Sequence, residues 1–244
     1  MCTVAYIPLG GGEFLIGSSR DESPYRGAIK PPFIHSTDGG RNLAPLDQKG
    51  GGTWISFSEK GRFMVIMNGA FAPHKRRPPY QMSRGMVPYL FPEYPSAPEF
   101  CQKVDLTGVE PFTAIIIENL HKTDLWEFKW DGCRKHLFEI RSDRPGIWSS
   151  DNLFRREVHQ KRVKWLNDFL RANPYPGMRD LQSFFGEAGK DAAPADEQID
   201  MKIGDKVQSV SFTFASFSQD GWLVNYIDSI YSRCNTKVEL ALSR

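Results

Sequence analysis

Short β-rich runs joined by tight turns recur along this chain, and those joints constrain the fold more than any other feature. Residues 3–7 and 13–17 flank Gly10-Gly11-Gly12, and residues 53–58 and 62–67 flank Glu59-Lys60-Gly61. Residues 125–130 and 136–140 flank the turn at Asp131-Gly132, and residues 210–217 and 222–227 flank Asp220-Gly221. A turn of two or three residues can join only antiparallel neighbours, because a parallel crossover needs a dozen residues or more. Residues 113–117 are apolar and β-branched, as in a strand buried on both faces, and residues 237–242 add a last strand.

Helical signals cluster between these strands. Ser83 caps a short helix over 83–90, and Ser96 opens another with Glu99, Phe100 and Val104 at helical spacing. Asp151 opens the longest predicted helix, with Leu153, Val158, Val163, Leu166, Phe169 and Leu170 as its apolar stripe. Arg155, Arg156, Lys161, Arg162 and Lys164 then form its wet face. A shorter helix covers 179–185. Strands grouped apart from helices mean an α+β fold with helices covering antiparallel sheets. Nothing divides the chain, so a single domain over 1–244 is expected. Two segments lack periodicity and read as flexible, one near 24–51 and one near 186–206.

Composition excludes several function classes. The net charge of +2 is too close to neutral to mark a nucleic-acid or anionic-membrane partner. Mean hydropathy is −0.44, and no run approaches a membrane span. Cys2, Cys101, Cys133 and Cys234 are widely separated, without the paired spacing of a zinc site or a redox dithiol. With no signal-peptide pattern at the start, a reduced, cytoplasmic protein is expected. His35, His74, His121, His136 and His159 have no metal-ligand spacing, so no metal and no cofactor is expected.

The chain start carries the strongest chemical signal. Trimming of Met1 would leave Cys2 as the terminal residue, directly opening a strand. Its thiol, with a free pKa of ~8.5, would then share one residue with an α-amine of pKa ~8, a nucleophile beside its own base. The plain alternative is a buried, inert thiol. Arg20 and Asp21 in Ser18-Ser19-Arg20-Asp21-Glu22-Ser23 come back to Cys2 through the first hairpin. Arg20 would favour the thiolate and Asp21 would orient the ammonium; the alternative is a solvated Arg–Asp turn.

The ordered set Met1-Cys2-Thr3, Arg20-Asp21-Glu22, Gly51-Gly52-Thr53-Trp54 and Ser83-Arg84-Gly85 resembles the NRDE family, also called the transport and Golgi organisation 2 family. Ser19 stands where that family has the first residue of its Asn-Arg-Asp-Glu signature. The resemblance is strong to about residue 90 and weaker beyond. It implies an N-terminal-nucleophile hydrolase-like fold, a four-layer αββα sandwich of two antiparallel sheets, remotely similar to bile-salt hydrolases and penicillin V acylases. It further implies a cysteine amidohydrolase acting on a non-peptide C–N bond of a small molecule. Cys2 would be the nucleophile, Arg20 and Asp21 its partners, and Asn68 and Asn119 the oxyanion contacts. Trp54, His74 and Arg84 would touch the substrate. A late arginine is also implied, for which Arg233 is the candidate.

The same resemblance carries a rival, because relatives are linked to secretory organisation, lipid metabolism and haem trafficking. A non-catalytic carrier of haem or another lipophilic ligand would need an apolar pocket, which Trp54, Phe71, Trp126 and Trp148 could line, although aromatic residues there equally suit a plain core. His74-Lys75-Arg76-Arg77 could meet an acidic ligand group or simply be a solvated loop. The partner in either reading is a small molecule, with neither nucleic acid nor membrane insertion involved.

Overall fold

The computed structural model describes residues 2–27, 29–119, 122–231 and 233–243, without the side chain of Cys2. Met1 and His121 lie outside the described residues. In chain order the strands are β1 (Cys2–Gly10), β2 (Glu13–Glu22), β3 (Ile29–Thr37), β4 (Gly40–Asp47), β5 (Ile55–Ser58) and β6 (Arg62–Asn68). Two short helices follow, α1 (Val87–Leu90) and α2 (Ala97–Lys103). Then come β7 (Phe112–Asn119), β8 (Thr123–Trp130), β9 (Lys135–Ile140) and β10 (Gly146–Ser149). The helices α3 (Arg156–Ala172) and α4 (Met178–Glu187) precede β11 (Lys202–Ile203), β12 (Val207–Ser218), β13 (Gly221–Asp228) and β14 (Asn235–Ala241).

These strands make two antiparallel sheets. The first runs β10-β1-β2-β12-β13-β14, with β11 on β12, and the second runs β3 to β9 in sequence order. Period-2 alternation explains their stacking. On β1 and β2, Val4, Tyr6, Phe14 and Ile16 meet Phe57, Phe63, Val65 and Ile115 of the second sheet. The intervening Ala5, Ile7 and Leu15 meet Leu166, Leu181 and Phe185 of α3 and α4. The second sheet turns Met64, Ile66, Ala114 and Ile116 toward Val87, Phe91 and Phe100 on the α1–α2 side. Both faces of each sheet are thus buried, which is the four-layer αββα sandwich. Each fully buried side chain of this size stabilises by about 1.5–3 kcal/mol, so the central aromatic layer dominates cohesion.

Four local expectations need correction. Residues 24–51 are not a featureless loop, since β3 and β4 form a hairpin there. Pro31 and Pro32 conceal it, sitting at a register shift on an edge strand where a missing N–H is tolerated. The long helix begins at Arg156 rather than Asp151. Residues 150–154 form a turn in which Leu153 N–H and Phe154 N–H both donate to Ser150 O. The carboxylate of Asp151 accepts from Phe71 N–H and Lys129 Nζ instead of capping a helix. β10, unforeseen in the sequence, pairs with β1. Finally, Arg162 is fully buried rather than on the wet face.

Gly17 marks where α4 crosses β2, since a Cβ there would lie 2.5 Å from Cε2 of Phe185. Gly17→Ala should therefore lower stability in urea denaturation by about 1–3 kcal/mol through overpacking. Gly186→Ala, which faces open space, should not; equal effects would contradict this packing.

Candidate functional site

The first hairpin closes the chain start onto its own signature. Its register sets Cys2 opposite Arg20 and Thr3 opposite Ser19. β12 continues the row, with Ser211 opposite Arg20. Because neighbouring residues on a strand face opposite ways, Arg20 and Asp21 enter different environments.

Arg20 points between the sheets. Its guanidinium lies 4.5 Å over the ring of Trp54, and Nη2 donates to Asp47 Oδ2 at 2.9 Å. Nη1 is buried and has no hydrogen-bond partner among the described residues. Asp47 is saturated. Arg26 Nε reaches the same Oδ2 at 3.0 Å, while Lys49 N–H and Gly50 N–H donate to Oδ1. Desolvation pushes the Asp47 carboxyl up, but the Gly50 N–H and the guanidiniums of Arg20 and Arg26 together hold it below the usual carboxylate range.

These residues wall a cavity of about 560 Å³ that Trp54, Asn68, Arg84 and Asn152 also line. Two motifs that the sequence separates by some thirty positions dock here. Gly52 lies so close to Gly85 that a Cβ would meet its carbonyl carbon at 2.5 Å. Thr53 N–H donates to Gly85 O at 2.8 Å. Across the cavity Glu110 is a second ion-pairing centre, with Arg84 Nη1 at 3.2 Å, Arg76 Nε at 3.5 Å and His74 Nε2 at 3.1 Å. His74 N–H donates to Asn152 Oδ1 at 2.9 Å, which fixes that carboxamide with its Nδ2 left as the donor. Asn152 N–H in turn approaches Asn68 O at 3.4 Å, and Ser150 Oγ donates to the same carbonyl at 2.7 Å.

Asp21 lies on the other face of β2 and is fully buried. Ser209 Oγ donates to its Oδ1 at 2.8 Å, and its Oδ2 has no partner among the described residues. Burial raises its carboxyl, partly opposed by Arg162 and by the hydroxyls of Ser209 and Ser19. Arg162 donates to Thr3 Oγ1, Ser149 Oγ, Glu197 O and Gln198 O, and its guanidinium lies 3.8 Å from the ring centroid of Phe154. Burial brings this guanidinium down to about 10, against the opposing influence of Asp21 and Glu197. Stranding such a buried charge typically costs about 3–5 kcal/mol. The contacts of Arg162 therefore tie β1, β10 and the 197–198 turn together.

The structure thus gathers Arg20, Trp54, Asn68 and Arg84 around one cavity, with His74 bonded to two of its wall residues. Asp21 sits behind the sheet, not beside Arg20. Asn119 is misplaced as an oxyanion contact. Its Nδ2 donates to Gly12 O at the hairpin tip, roughly 25 Å along β1 from Cys2 at strand rise. Arg233 is exposed. Trp54 does not share a pocket with Phe71 and Trp148, which line another cavity, and Trp126 packs against the α2 side. Sequence reasoning missed Asp47, Glu110, Asn152 and Arg162. Arg162 was findable, because Val158, Arg162 and Leu166 share one stripe at i, i+4 spacing. Among the described residues no group of three or more His, Cys, Asp or Glu side chains could hold a metal ion, and no helix is long and apolar enough to cross a membrane.

The family model described as Transport and Golgi organisation 2 matches residues 1–172. No curated protein matches in sequence. Among solved structures, a variant of conjugated bile acid hydrolase from Clostridium perfringens is similar with a TM-score of 0.60 at 9% identity, covering 98% of this chain and 92% of that one. Penicillin V acylase from Agrobacterium tumefaciens gives 0.61 at 8% identity, covering 98% and 86%. The Caenorhabditis elegans ortholog of N-acylethanolamine-hydrolyzing acid amidase gives 0.55 at 10% identity, covering 87% and 92%. At these identities the likeness is one of fold.

The depressed Asp47 carboxyl has a pH consequence. A folded-state pKa below the unfolded value contributes stability that is present above the unfolded pKa and is lost as pH falls through the folded one. Wild-type stability should therefore decline below about pH 4, the unfolded carboxylate pKa. Asp47→Asn should be less stable at pH 7 and show a flatter acid limb in urea midpoints measured from pH 7 to pH 3. An unchanged limb would remove Asp47 from the ledger.

Proposed function

Since the chain belongs to the Transport and Golgi organisation 2 family and has the fold of amide-cleaving enzymes, we propose that it is an N-terminal cysteine amidohydrolase for small molecules. The observation that carries this reading is the β1–β2 register, which pairs Cys2 with Arg20 at a cavity lined by Trp54 and Asn68. Removal of Met1 would free the α-amine of Cys2. Asp21, one position beyond that pairing, offers a buried carboxylate oxygen in need of a donor, and an ammonium group at the strand start would supply one. A cation facing the nucleophile from Arg20 would favour thiolate over thiol.

The chemistry then runs as acyl transfer. The Cys2 sulfur attacks the amide carbonyl, and its proton passes through the α-amine to the leaving nitrogen. The carbonyl oxygen gathers negative charge, for which the Nδ2 of Asn152 and the carboxamide of Asn68 are the nearby donors. One such donor is typically worth about 2.7–4 kcal/mol. Departure of the amine leaves a thioester on Cys2. Water, deprotonated by the same α-amine, attacks the thioester, releasing the acid and restoring the thiol. Arg162 acts from behind, holding the end of β1 through Thr3.

Intact-mass analysis with an electrophilic amide or lactone probe tests this. The expected result is a chain lacking Met1 that gains a single adduct, and a Cys2→Ala variant that gains none. Cys101, Cys133 and Cys234 should react much more slowly than Cys2. Retention of Met1, or adducts spread evenly over the four cysteines, would sink the proposal. A ligand retained equally by wild type and by Cys2→Ala, with no adduct on either, would favour the carrier reading.

A further inference from the structure

Each sheet ends in two outer strands, and these are protected unequally. Along one side of the sandwich β3 and β14 lie against each other, and β3 is interrupted by Pro31, Pro32 and a register shift. Along the other side β10 is only four residues long and is backed by α3. That leaves β9, six residues without proline, glycine or a shift in its register with β8. A regular edge of this kind is a template for a further strand, and most proteins blunt it.

The hairpin turn fixes which backbone groups of β9 are free. Asp131 N–H donates to Arg134 O at 3.2 Å, so those two residues form a hydrogen-bonded pair. Bonded and non-bonded pairs then alternate away from the turn. His136, Phe138 and Ile140 therefore bond to Lys129, Glu127 and Leu125 of β8, and the N–H and C=O groups of Lys135, Leu137 and Glu139 point away from the sheet. Among the described residues no backbone group outside the strand ladders pairs with them.

A second β9 fits this row. With Leu137 opposite its own copy across a two-fold axis, every outward N–H meets an outward C=O, and Lys135 falls opposite Glu139 at both ends. Glu139 is exposed. Lys135 Nζ donates to Gln102 O at 2.8 Å and to Val104 O at 3.1 Å, which leaves one ammonium hydrogen for that carboxylate. Sliding the pairing by two residues either way loses both Lys–Glu pairs. On the opposite face His136 falls opposite Phe138. Phe138 is 42% and Phe71 54% exposed, with their rings 6.4 Å apart, and the same pairing would cover both.

We propose that β9 is the interface of a homodimer, in which two copies of this chain pair antiparallel about Leu137 and join their second sheets into one. This assembly is independent of whether Cys2 is catalytic. Sedimentation velocity of the full chain over a concentration series tests it. Wild type should show a monomer–dimer equilibrium. Glu139→Lys sets lysine against Lys135, and Lys135→Glu sets glutamate against Glu139, so each variant alone should weaken the dimer by about tenfold or more. Mixed together, the two should pair again, because each lysine then faces a glutamate. Glu139→Pro removes only an outward N–H, so it should weaken the dimer with its urea midpoint little changed; that variant keeps the test decisive if Lys135→Glu disturbs α2. In hydrogen exchange the amides of Lys135, Leu137 and Glu139 should be slow in the wild-type dimer and fast in Glu139→Lys. A wild type that stays monomeric up to about 1 mM would overturn the proposal. So would a dimer indifferent to all three variants, or folded charge variants that do not pair on mixing.

Discussion

The alternation of side chains along β2 is the constraint on which the rest depends. Phe14 and Ile16 enter the core between the sheets, and Leu15 enters the core beneath α3 and α4. The same period carries past the apolar stretch to Arg20 and Asp21. A one-residue slip would reverse every one of these assignments, so the burial of two aromatic-rich layers fixes the register. That register in turn fixes which charged group sits beside the chain start and which sits behind it.

The charged groups are arranged in compensated sets. Asp47 balances Arg20 and Arg26, while Glu110 gathers His74, Arg76 and Arg84. Each carboxylate is held by residues distant in sequence, so the cavity walls brace one another. Arg162 performs the equivalent task on the far face, with its charge spread over hydroxyls and backbone carbonyls. Among the described residues, the buried polar atoms without partners include Arg20 Nη1 and Asp21 Oδ2, on either side of the strand that pairs with the start of β1. Groups of this kind are costly to bury unmatched.

Much of the architecture was legible in the amino-acid sequence. Tight turns gave the hairpins, and apolar runs gave the buried strands. Ser83 and Ser96 are the caps they were expected to be, accepting from Gly85 N–H and Glu99 N–H. The β3–β4 hairpin was hidden by prolines that an edge strand can accommodate. The start of α3 was misread because Asp151 looks like a cap until Phe71 and Lys129 are seen to claim it. Asn119 ends an apolar strand just as Asn68 does, but β6 and β7 are antiparallel, so the two asparagines finish at opposite ends of the sheet.

Sequence alone determined the α+β class, the antiparallel pairing and the return of Arg20 to Cys2, because each follows from local periodicity and turn length. Tertiary structure decided which carboxylate serves Arg20, that Asn152 and not Asn119 stands at the cavity, that Arg162 is buried, and that Phe71 lines a separate cavity from Trp54. The physical reason is the same in each case. Such contacts join residues tens of positions apart, and only the packing of sheets and helices on one another brings them within reach.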